Sequence, residues 1–270
     1  MIRLLPVLAL LLAGCAGAGP GRSSPDYRPT VVSLNPCADA ILAEVAEPGQ
    51  LLAISHYSKD PRASSMSVED AARFPATGGT VEEVLALDPD VVVASTFIAP
   101  ATRAALEDLG LRVVTFGGTA DIASSIAQIR ELAALVENDR EGERLVEQIE
   151  LALSEVADTA EPVEAALWQP GGIVPGEASL VSDLLRRTGF ASYSEARGMA
   201  QADYLSLEQV VADPPQVLLV AGSEAGQRHP VLDEVDGMAR ADFDTRLIYC
   251  GGPTIIRAAR RLKTIRDTVS

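Results

Sequence analysis

The sequence predicts an α/β protein of two lobes with parallel sheets, joined by one long backbone α-helix. One observation behind this prediction is a stretch that occurs twice, at residues 80–94 and 206–220, and aligns without a gap. Another is the central segment 122–156, roughly 35 residues that carry helical patterns and no strand signal. The chain has 270 residues, which is enough for two domains of ordinary size.

Each copy of the repeat predicts a short helix followed by a buried strand. Thr80 and Ser206 stand three positions before Glu83 and Gln209, which is the capping-box signature of a helix start. About two helical turns later, each copy reaches a proline and then a short aliphatic run. Such a run is typical of a strand that is buried on both faces of a parallel sheet.

Other strands and helices alternate on both sides of the central segment. We predict strands at 31–34, 51–54, 91–94 and 112–115 in the first half, and at 163–168, 217–220 and 246–249 in the second. Further helices are predicted at 36–45, 100–109, 180–187 and 255–269. This alternation implies parallel sheets with right-handed crossovers, so each half is predicted to be a Rossmann-like lobe.

The central segment is expected to connect the two lobes. Apolar residues recur at helical spacing before and after Asn138 and Asp139, which form a natural cap. The second helix, about 140–157, would be about 27 Å long at 1.5 Å per residue. The predicted divisions are a signal and tether at 1–29, an N-terminal lobe at 30–138, a connecting helix at 139–160 and a C-terminal lobe at 161–270.

The N-terminus predicts export from the cytoplasm. A basic start precedes an apolar run, residues 4–12, that is too short to span a bilayer. The sequence Leu-Ala-Gly-Cys at 12–15 resembles a bacterial lipobox, in which Cys15 is lipidated and becomes the first mature residue. Ordinary signal-peptidase cleavage after Ala18 is the alternative. Residues 17–29, rich in Gly, Pro and Ser, are predicted to be a flexible tether.

The net charge of −16 argues against nucleic acid and anionic membrane surfaces as partners. We therefore expect contact with a membrane only through an N-terminal lipid anchor at Cys15. The protein is expected to be a monomer in the periplasm.

Two cysteines, Cys37 and Cys250, remain in the exported part of the chain. In an oxidising compartment they could form a disulfide. They could also be two small buried thiols, and the frequency with which free cysteine is buried favours this second interpretation.

The sequence offers little for catalysis. It has no nucleophile elbow, no phosphate-binding loop and no dinucleotide fingerprint after a strand. With His56 and His229 as the two histidines, a serine triad or a multi-histidine metal site has few candidates. We expect no catalytic residues, no resident metal and no cofactor.

A ligand site is expected at the carboxyl ends of the strands, where parallel α/β sheets bind their ligands. Two lobes would place these ends opposite each other across a cleft. The residues of this predicted cleft are Asn35, Cys37, His56, Tyr57, Ser95, Phe97, Trp168, Gly171 and Tyr249.

The chain also resembles a known family. The residues Val-Val-Ser-Leu-Asn-Pro at 31–36, the turn Thr-Gly-Gly at 77–79, and Ala-Leu-Asp-Pro-Asp-Val-Val-Val at 86–93 look like the helical-backbone class of substrate-binding proteins. These proteins serve ABC importers for iron–siderophore complexes, haem and vitamin B12. The resemblance covers roughly residues 30–268. It implies a ligand held between two lobes, a rigid connecting helix and little hinge motion.

The resemblance further implies that one surface glutamate per lobe docks onto arginines of the membrane permease. In the family this glutamate heads the helix before the Pro-Asp strand, which places it at Glu82 and Glu208. A carboxylate in a first helical turn is also favoured by the helix dipole, by about 0.3–1 kcal/mol, so a purely structural role is the alternative.

The resemblance leaves several metal-chelate ligands open. Vitamin B12 binders of the class stack the corrin on aromatic residues; Tyr57 matches one such position, and the others fall on Ala76, Ser95, Ile173 and Ala202. Siderophore binders use arginines, for which Arg62, Arg103 and Arg197 are candidates. Haem would be ligated by His56 or Tyr57. We rank an iron complex first and a corrinoid second, with a chelate-processing enzyme as the alternative from another class.

Overall fold

The computed structural model describes residues 27–62 and 64–269, so the predicted signal, the lipobox and Cys15 lie outside the described residues. The strands form a five-stranded sheet, a four-stranded sheet and a two-stranded ladder. The strands are β1 Val31–Ser33, β2 Leu51–Ser55, β3 Ala76–Thr77, β4 Val91–Ser95, β5 Arg112–Phe116, β6 Val163–Trp168, β7 Ile173–Val174, β8 Phe190–Ser192, β9 Asp203–Tyr204, β10 Val217–Val220 and β11 Ala239–Asp242. The α-helices are α1 Pro36–Val45, α2 Val68–Ala72, α3 Val81–Ala86, α4 Pro100–Asp108, α5 Ile122–Leu135, α6 Asp139–Val156, α7 Leu180–Arg187, α8 Tyr193–Ala196, α9 Leu207–Ala212 and α10 Thr254–Thr268.

The two larger sheets share one strand arrangement and confirm the prediction of two parallel α/β lobes. The N-terminal sheet has the order β3-β2-β1-β4-β5, and the C-terminal sheet has the order β11-β10-β6-β8. All described pairings in both sheets are parallel. The first strand of each lobe, β1 or β6, pairs with the strand of the repeat, β4 or β10. The strand order reverses beside that first strand in both lobes, which is where ligands bind in open α/β sheets.

The repeat folds as predicted in both copies. The side chains of Thr80 and Ser206 accept hydrogen bonds from the backbone N–H groups of Glu83 and Gln209, and both capping boxes are complete. The strands that follow, β4 and β10, are buried almost throughout. The repeat therefore supplies equivalent helices, α3 and α9, and equivalent strands at the centre of each lobe.

A continuous apolar core connects the lobes through α5, α6 and α10. One buried cluster extends from Val31 in β1, through Leu132 in α5 and Ile149 in α6, to Ala165 in β6. A Cβ added at Gly142 would lie 2.5 Å from the Cβ of Ala133, so α5 and α6 approach each other closely. Each fully buried aliphatic side chain contributes about 1.5–3 kcal/mol, so this core favours a fixed orientation of the lobes.

The structure adds short elements that were not predicted, namely β3, β7, β8, β9, α2 and α8, and it differs from the predicted elements in three further places. Residues 246–249 are not a strand: the Asp244 side chain accepts the N–H of Arg246 and starts a 3-10 turn, Thr245–Leu247. The last strand is instead β11, whose alternating polar pattern did not indicate a buried strand. Asn138 precedes α6 but does not cap it, because its amide donates to the carbonyl of Val45.

Candidate functional site

Two cavities at the carboxyl ends of the strands contain residues of the predicted cleft. The first, of about 370 Å³, is bounded by residues of both lobes and is called here the central cavity. The second, of about 620 Å³, is formed by the N-terminal lobe alone and is called the N-lobe cavity. Both volumes are in the range of small-molecule sites.

Exposed aromatic side chains line the N-lobe cavity. His56 and Tyr57 come from a 3-10 turn, His56–Lys59, directly after β2. Ser95 ends β4, and Phe97 follows that strand. Phe97 is 90% exposed and Tyr57 is 55% exposed. The rings of His56 and Tyr57 have their centroids 4.1 Å apart. Large apolar surface left open beside a cavity is typical of a ligand-binding site.

A buried carboxyl group holds the turn that carries His56 and Tyr57. One oxygen of Asp39, in α1, accepts the N–H of Ser55 at 2.9 Å and the hydroxyl of Ser58 at 2.6 Å. Burial raises the pKa of Asp39 to about 7, although the hydrogen bonds from Ser58 and Ser55 oppose that shift. The second oxygen, Oδ1, has no hydrogen-bond partner among the described residues.

A second turn of this cavity, at residues 77–79, is braced from the repeat helix. The Thr77 hydroxyl donates to Oε2 of Glu83 at 3.0 Å, and the N–H of Gly79 donates to the Thr77 hydroxyl. The hydrogen bond from Thr77 and the backbone N–H of Thr80 hold the pKa of Glu83 below its usual value. Gly79 has φ +81°, which a residue with a side chain adopts only with strain. The predicted turn thus forms one edge of the site.

A disulfide lies in the lining of the central cavity. The structure joins Cys37 and Cys250, with their Cα atoms 5.1 Å apart, so the favoured expectation of two free buried thiols was wrong. The bond links the first turn of α1, in the N-terminal lobe, to the segment before α10. The N–H of Gly252 in that segment also donates to the Ser125 hydroxyl of α5 at 2.8 Å. Reasoning from frequency could not anticipate that the fold brings residues 213 positions apart together.

The structure brings six of the nine predicted cleft residues to the two cavities. His56, Tyr57, Ser95 and Phe97 line the N-lobe cavity, and Cys37 and Tyr249 line the central cavity. Tyr249 reaches it from the segment after the 3-10 turn and not from a strand end.

The other three predicted residues line neither cavity. Asn35 caps α1 by accepting the N–H groups of Cys37 and Ala38. Trp168 is buried, and its indole N–H donates to the carbonyl of Leu205 at 2.8 Å. Gly171 lies in an exposed turn, where its N–H donates to Glu224.

Glutamines of the central cavity were missed by sequence reasoning. Gln128 of α5, Gln169 after β6 and Gln201 before β9 all line it. Gln169 follows a predicted strand directly and could have been found from that position. The other two are brought to the cavity by the packing of α5 and by the β7–β9 ladder, which no sequence pattern indicated.

The candidate arginines for siderophore binding are engaged elsewhere. Arg62 pairs with Asp60 at 2.9 Å, and Arg103 pairs with Glu107 at 2.8 Å. Arg197 bridges Glu164 and Asp213 and lies 3.4 Å above the ring of Tyr193. None of the three lines the central or the N-lobe cavity.

The repeat helices present matched groups on the surface. Glu82 and Glu208 are both exposed in the first turn of their helices. Hydrogen bonds from its own backbone N–H and from Ser206 lower the pKa of Glu208. Leu85 and Val211, three residues further on and therefore on the same face, are 41% and 36% exposed.

The described residues contain no group of three or more His, Cys, Asp or Glu side chains that could hold a metal ion. No helix in the described part of the chain is both long and apolar enough to cross a membrane.

A family model described as periplasmic binding protein matches residues 31–240. None of the curated proteins is similar enough in sequence to count as a match.

Several solved structures have a similar fold at low sequence identity. The haem-binding protein HutB of Vibrio cholerae has a TM-score of 0.72 at 15% identity, over 88% of this chain and 98% of that chain. The haem-binding protein RhuT of Roseiflexus sp. RS-1, in its apo form, has 0.68 at 18%, over 90% and 98%. The vitamin B12-binding protein BtuF of Vibrio cholerae has 0.65 at 17%, over 90% and 98%.

Proposed function

The chain belongs to the periplasmic binding protein family, and from that premise we propose that it captures a metal-chelate ligand and delivers it to an ABC importer. Membership indicates an extracytoplasmic substrate-binding role. The metal-chelate ligand, the cleft that holds it and the ABC importer are proposed in addition to that role. The observation that carries it is the pair of cavities at the strand ends, one of them lined by exposed aromatic side chains.

The proposed ligand site combines both cavities. Tyr57 and Phe97 offer aromatic faces to a large planar or chelated ligand. If the cargo is haem, His56 or Tyr57, side by side at the cavity edge, would ligate its iron. Haem, iron–siderophore complexes and corrinoids are all metal chelates of suitable size.

Rigid capture is favoured over closure by a hinge. The core through α5, α6 and α10 extends across both lobes. The Cys37–Cys250 disulfide adds a covalent link between α1 and the start of α10. We therefore expect the lobes to move little when the ligand binds.

The proposed docking face is the pair of repeat helices. Glu82 and Glu208 are exposed and have no ion-pair partner among the described residues, so each is available to a basic side chain of a permease. Leu85 and Val211 would add an apolar contact beside each carboxylate. Two matched positions suit a transporter with two equivalent subunits.

Export and lipid anchoring at Cys15 remain part of the proposal. A disulfide suits an oxidising compartment, which supports export. We expect Cys15→Ser to move the protein from the membrane fraction to the soluble periplasmic fraction. Unchanged fractionation would speak against lipidation at this residue.

Binding and turnover separate the proposal from the enzyme alternative. Tag-free protein is mixed with haemin, ferric siderophores and cobalamin, and binding is followed by calorimetry while the chelate is followed by absorbance and mass spectrometry. We expect stoichiometric binding at micromolar affinity or tighter, about −8 kcal/mol or better, with the chelate unchanged. Catalytic conversion of the chelate would refute the proposal.

A further inference from the structure

We infer that the ligand is an uncharged metal chelate rich in amide groups, and not one that carries several carboxylates or catecholates. This inference rests on the proposed function and narrows it to a class of ligand. Its evidence is the chemistry of the side chains that face the two cavities.

In the described part of the chain, neither cavity is lined by a cationic Lys or Arg side chain that could pair with an anion. Among the described residues that line the central and N-lobe cavities, there is no Lys, Arg, Asp or Glu. The titratable side chains in these linings are His56, Tyr57 and Tyr249. A carboxylate that leaves water without a cationic partner loses several kcal/mol of solvation. A multiply charged chelate would therefore bind here at a large cost.

The polar side chains that line the central cavity are uncharged: three carboxamides, and the hydroxyls of Thr119, Ser179 and Tyr249. The amide of Gln128 donates to the carbonyl of Gly117 at 3.0 Å, which orients its oxygen. The side chains of Gln169 and Gln201 make no hydrogen bond to another residue in the described part of the chain. A carboxamide offers both donors and acceptors, so it pairs with the amides and hydroxyls of a ligand without charge.

Arginines elsewhere in the molecule do not add a positive charge to either cavity lining. Arg62, Arg103 and Arg197 are held in ion pairs away from both cavities. Arg228 and Arg240 line a separate recess of about 330 Å³ together with Asp242, at the ends of β10 and β11. The net charge of −16 lowers the local concentration of anions around the whole molecule.

Two kinds of ligand share the inferred chemistry. A ferric trihydroxamate is neutral overall, because three hydroxamate anions balance the charge of Fe³⁺, and it presents amide-like groups to its surroundings. A corrinoid carries peripheral amides and little net charge. Haem with its two carboxylates and a ferric tris-catecholate with its high negative charge are the contrasting chelates.

A four-probe titration tests the inference. Full-length protein is titrated calorimetrically with a neutral ferric trihydroxamate, cyanocobalamin, haemin and a ferric tris-catecholate, at low and at physiological salt. We expect one of the two neutral probes to bind at least about 100-fold more tightly than either anionic probe, since an unpaired buried charge costs several kcal/mol. The neutral probe that binds identifies the ligand as a hydroxamate siderophore or as a corrinoid.

Variants connect the preference to the glutamines. Gln169→Leu and Gln201→Leu should each weaken the neutral probe by about 10-fold, because a ligand amide loses its partner. Gln148→Leu is the matched control, since Gln148 is exposed on α6 and lines neither cavity, and its affinity should be unchanged.

The outcomes distinguish this inference from the proposed function. Tighter binding of haemin or the tris-catecholate, weakened by salt and by Arg228→Gln, would overturn the inference and leave the proposed function in place. Folded protein that binds none of the four probes, or that converts one of them, would overturn the proposed function as well.

Discussion

The two lobes share a scaffold but differ at their ligand-facing ends. In the N-terminal lobe, the residues before the repeat helix form β3, pair with β2 and turn beside an open cavity. In the C-terminal lobe, the equivalent residues form β9 and pair with β7 in an antiparallel ladder. The carbonyl of Leu205, just after β9, accepts the indole N–H of Trp168. The same repeat therefore lies beside an open aromatic cavity in one lobe and beside a buried, hydrogen-bonded tryptophan in the other.

This difference suggests a division of roles. Tyr57 and Phe97 leave apolar surface open in the N-terminal lobe. In the C-terminal lobe, the ring of Tyr204 packs against Gly172, where an added Cβ would lie 2.6 Å from it. We expect the N-terminal lobe to supply the apolar contacts to the ligand. We expect the matched features, Glu82 and Glu208, to contact the transporter.

The largest expected effect comes from the features that the lobes share. Charge reversal at both glutamates, Glu82→Lys with Glu208→Lys, should reduce uptake to background, because like charges opposed across an interface cost several kcal/mol. Ligand affinity should stay the same. Uptake into proteoliposomes and calorimetric binding measure the two effects.

Glu131→Lys provides the control for that experiment. Glu131 is exposed on α5, outside the repeat, and its reversal changes the net charge in the same direction. Normal uptake by the double variant would rule out the docking face, and loss of ligand binding would assign the glutamates a structural role.

The next effect concerns Asp39, whose buried carboxyl group supports the N-lobe turn. Its folded-state pKa of about 7 lies above the ordinary value of 3.8, so the stabilisation is greatest at low pH and is lost as the pH rises through 7. Relative to Asp39→Asn, the wild type should lose about 3 kcal/mol between pH 5 and pH 8.

Urea unfolding of both proteins across this pH range measures the difference. Other carboxyl groups, such as Glu83, have lowered pKa values and act in the opposite direction in both proteins. The subtraction removes their contribution. Parallel stability curves for the two proteins would mean that Asp39 titrates normally.

A smaller effect tests the asymmetry between the lobes directly. Tyr57→Ala should weaken the ligand by about 10- to 30-fold, as the loss of one aromatic contact and its buried area costs about 2 kcal/mol. Tyr204→Ala, at an aromatic of similar exposure in the C-terminal lobe, should change affinity less than about threefold. Equal losses in calorimetric titrations would show that both lobes contact the ligand alike.

The smallest effect on ligand affinity is expected at the buried Trp168 of the C-terminal lobe. Trp168→Phe removes the donor to the Leu205 carbonyl and should lower the free energy of unfolding by about 1–3 kcal/mol. Ligand affinity should be nearly unchanged because Trp168 lines neither cavity. Thermal unfolding together with calorimetry checks both expectations, and a large loss of affinity would place the indole in the binding site.

Local patterns predicted the scaffold, whereas tertiary packing determined much of the site. The capping residues Thr80 and Ser206 and the apolar periodicity of α6 are local signals, and the elements they predicted are present. The Cys37–Cys250 bond and the position of Gln201 depend on contacts between distant segments.

Short strands show the same limit. The strands β3, β7 and β9 have two residues each, and their pairing partners decide their existence. The predicted strand at 246–249 failed because a local hydrogen bond from Arg246 to Asp244 competes with extended backbone. Tyr249 still reaches the central cavity, because the disulfide at the next residue holds the segment there.

Native mass spectrometry of protein purified from its own host tests the central claim most directly. The account predicts one metal chelate per chain, released unchanged on denaturation and present at lower occupancy in the Tyr57→Ala variant. Folded protein with no chelate after exposure to the host's medium, or release of a chemically altered chelate, would contradict it.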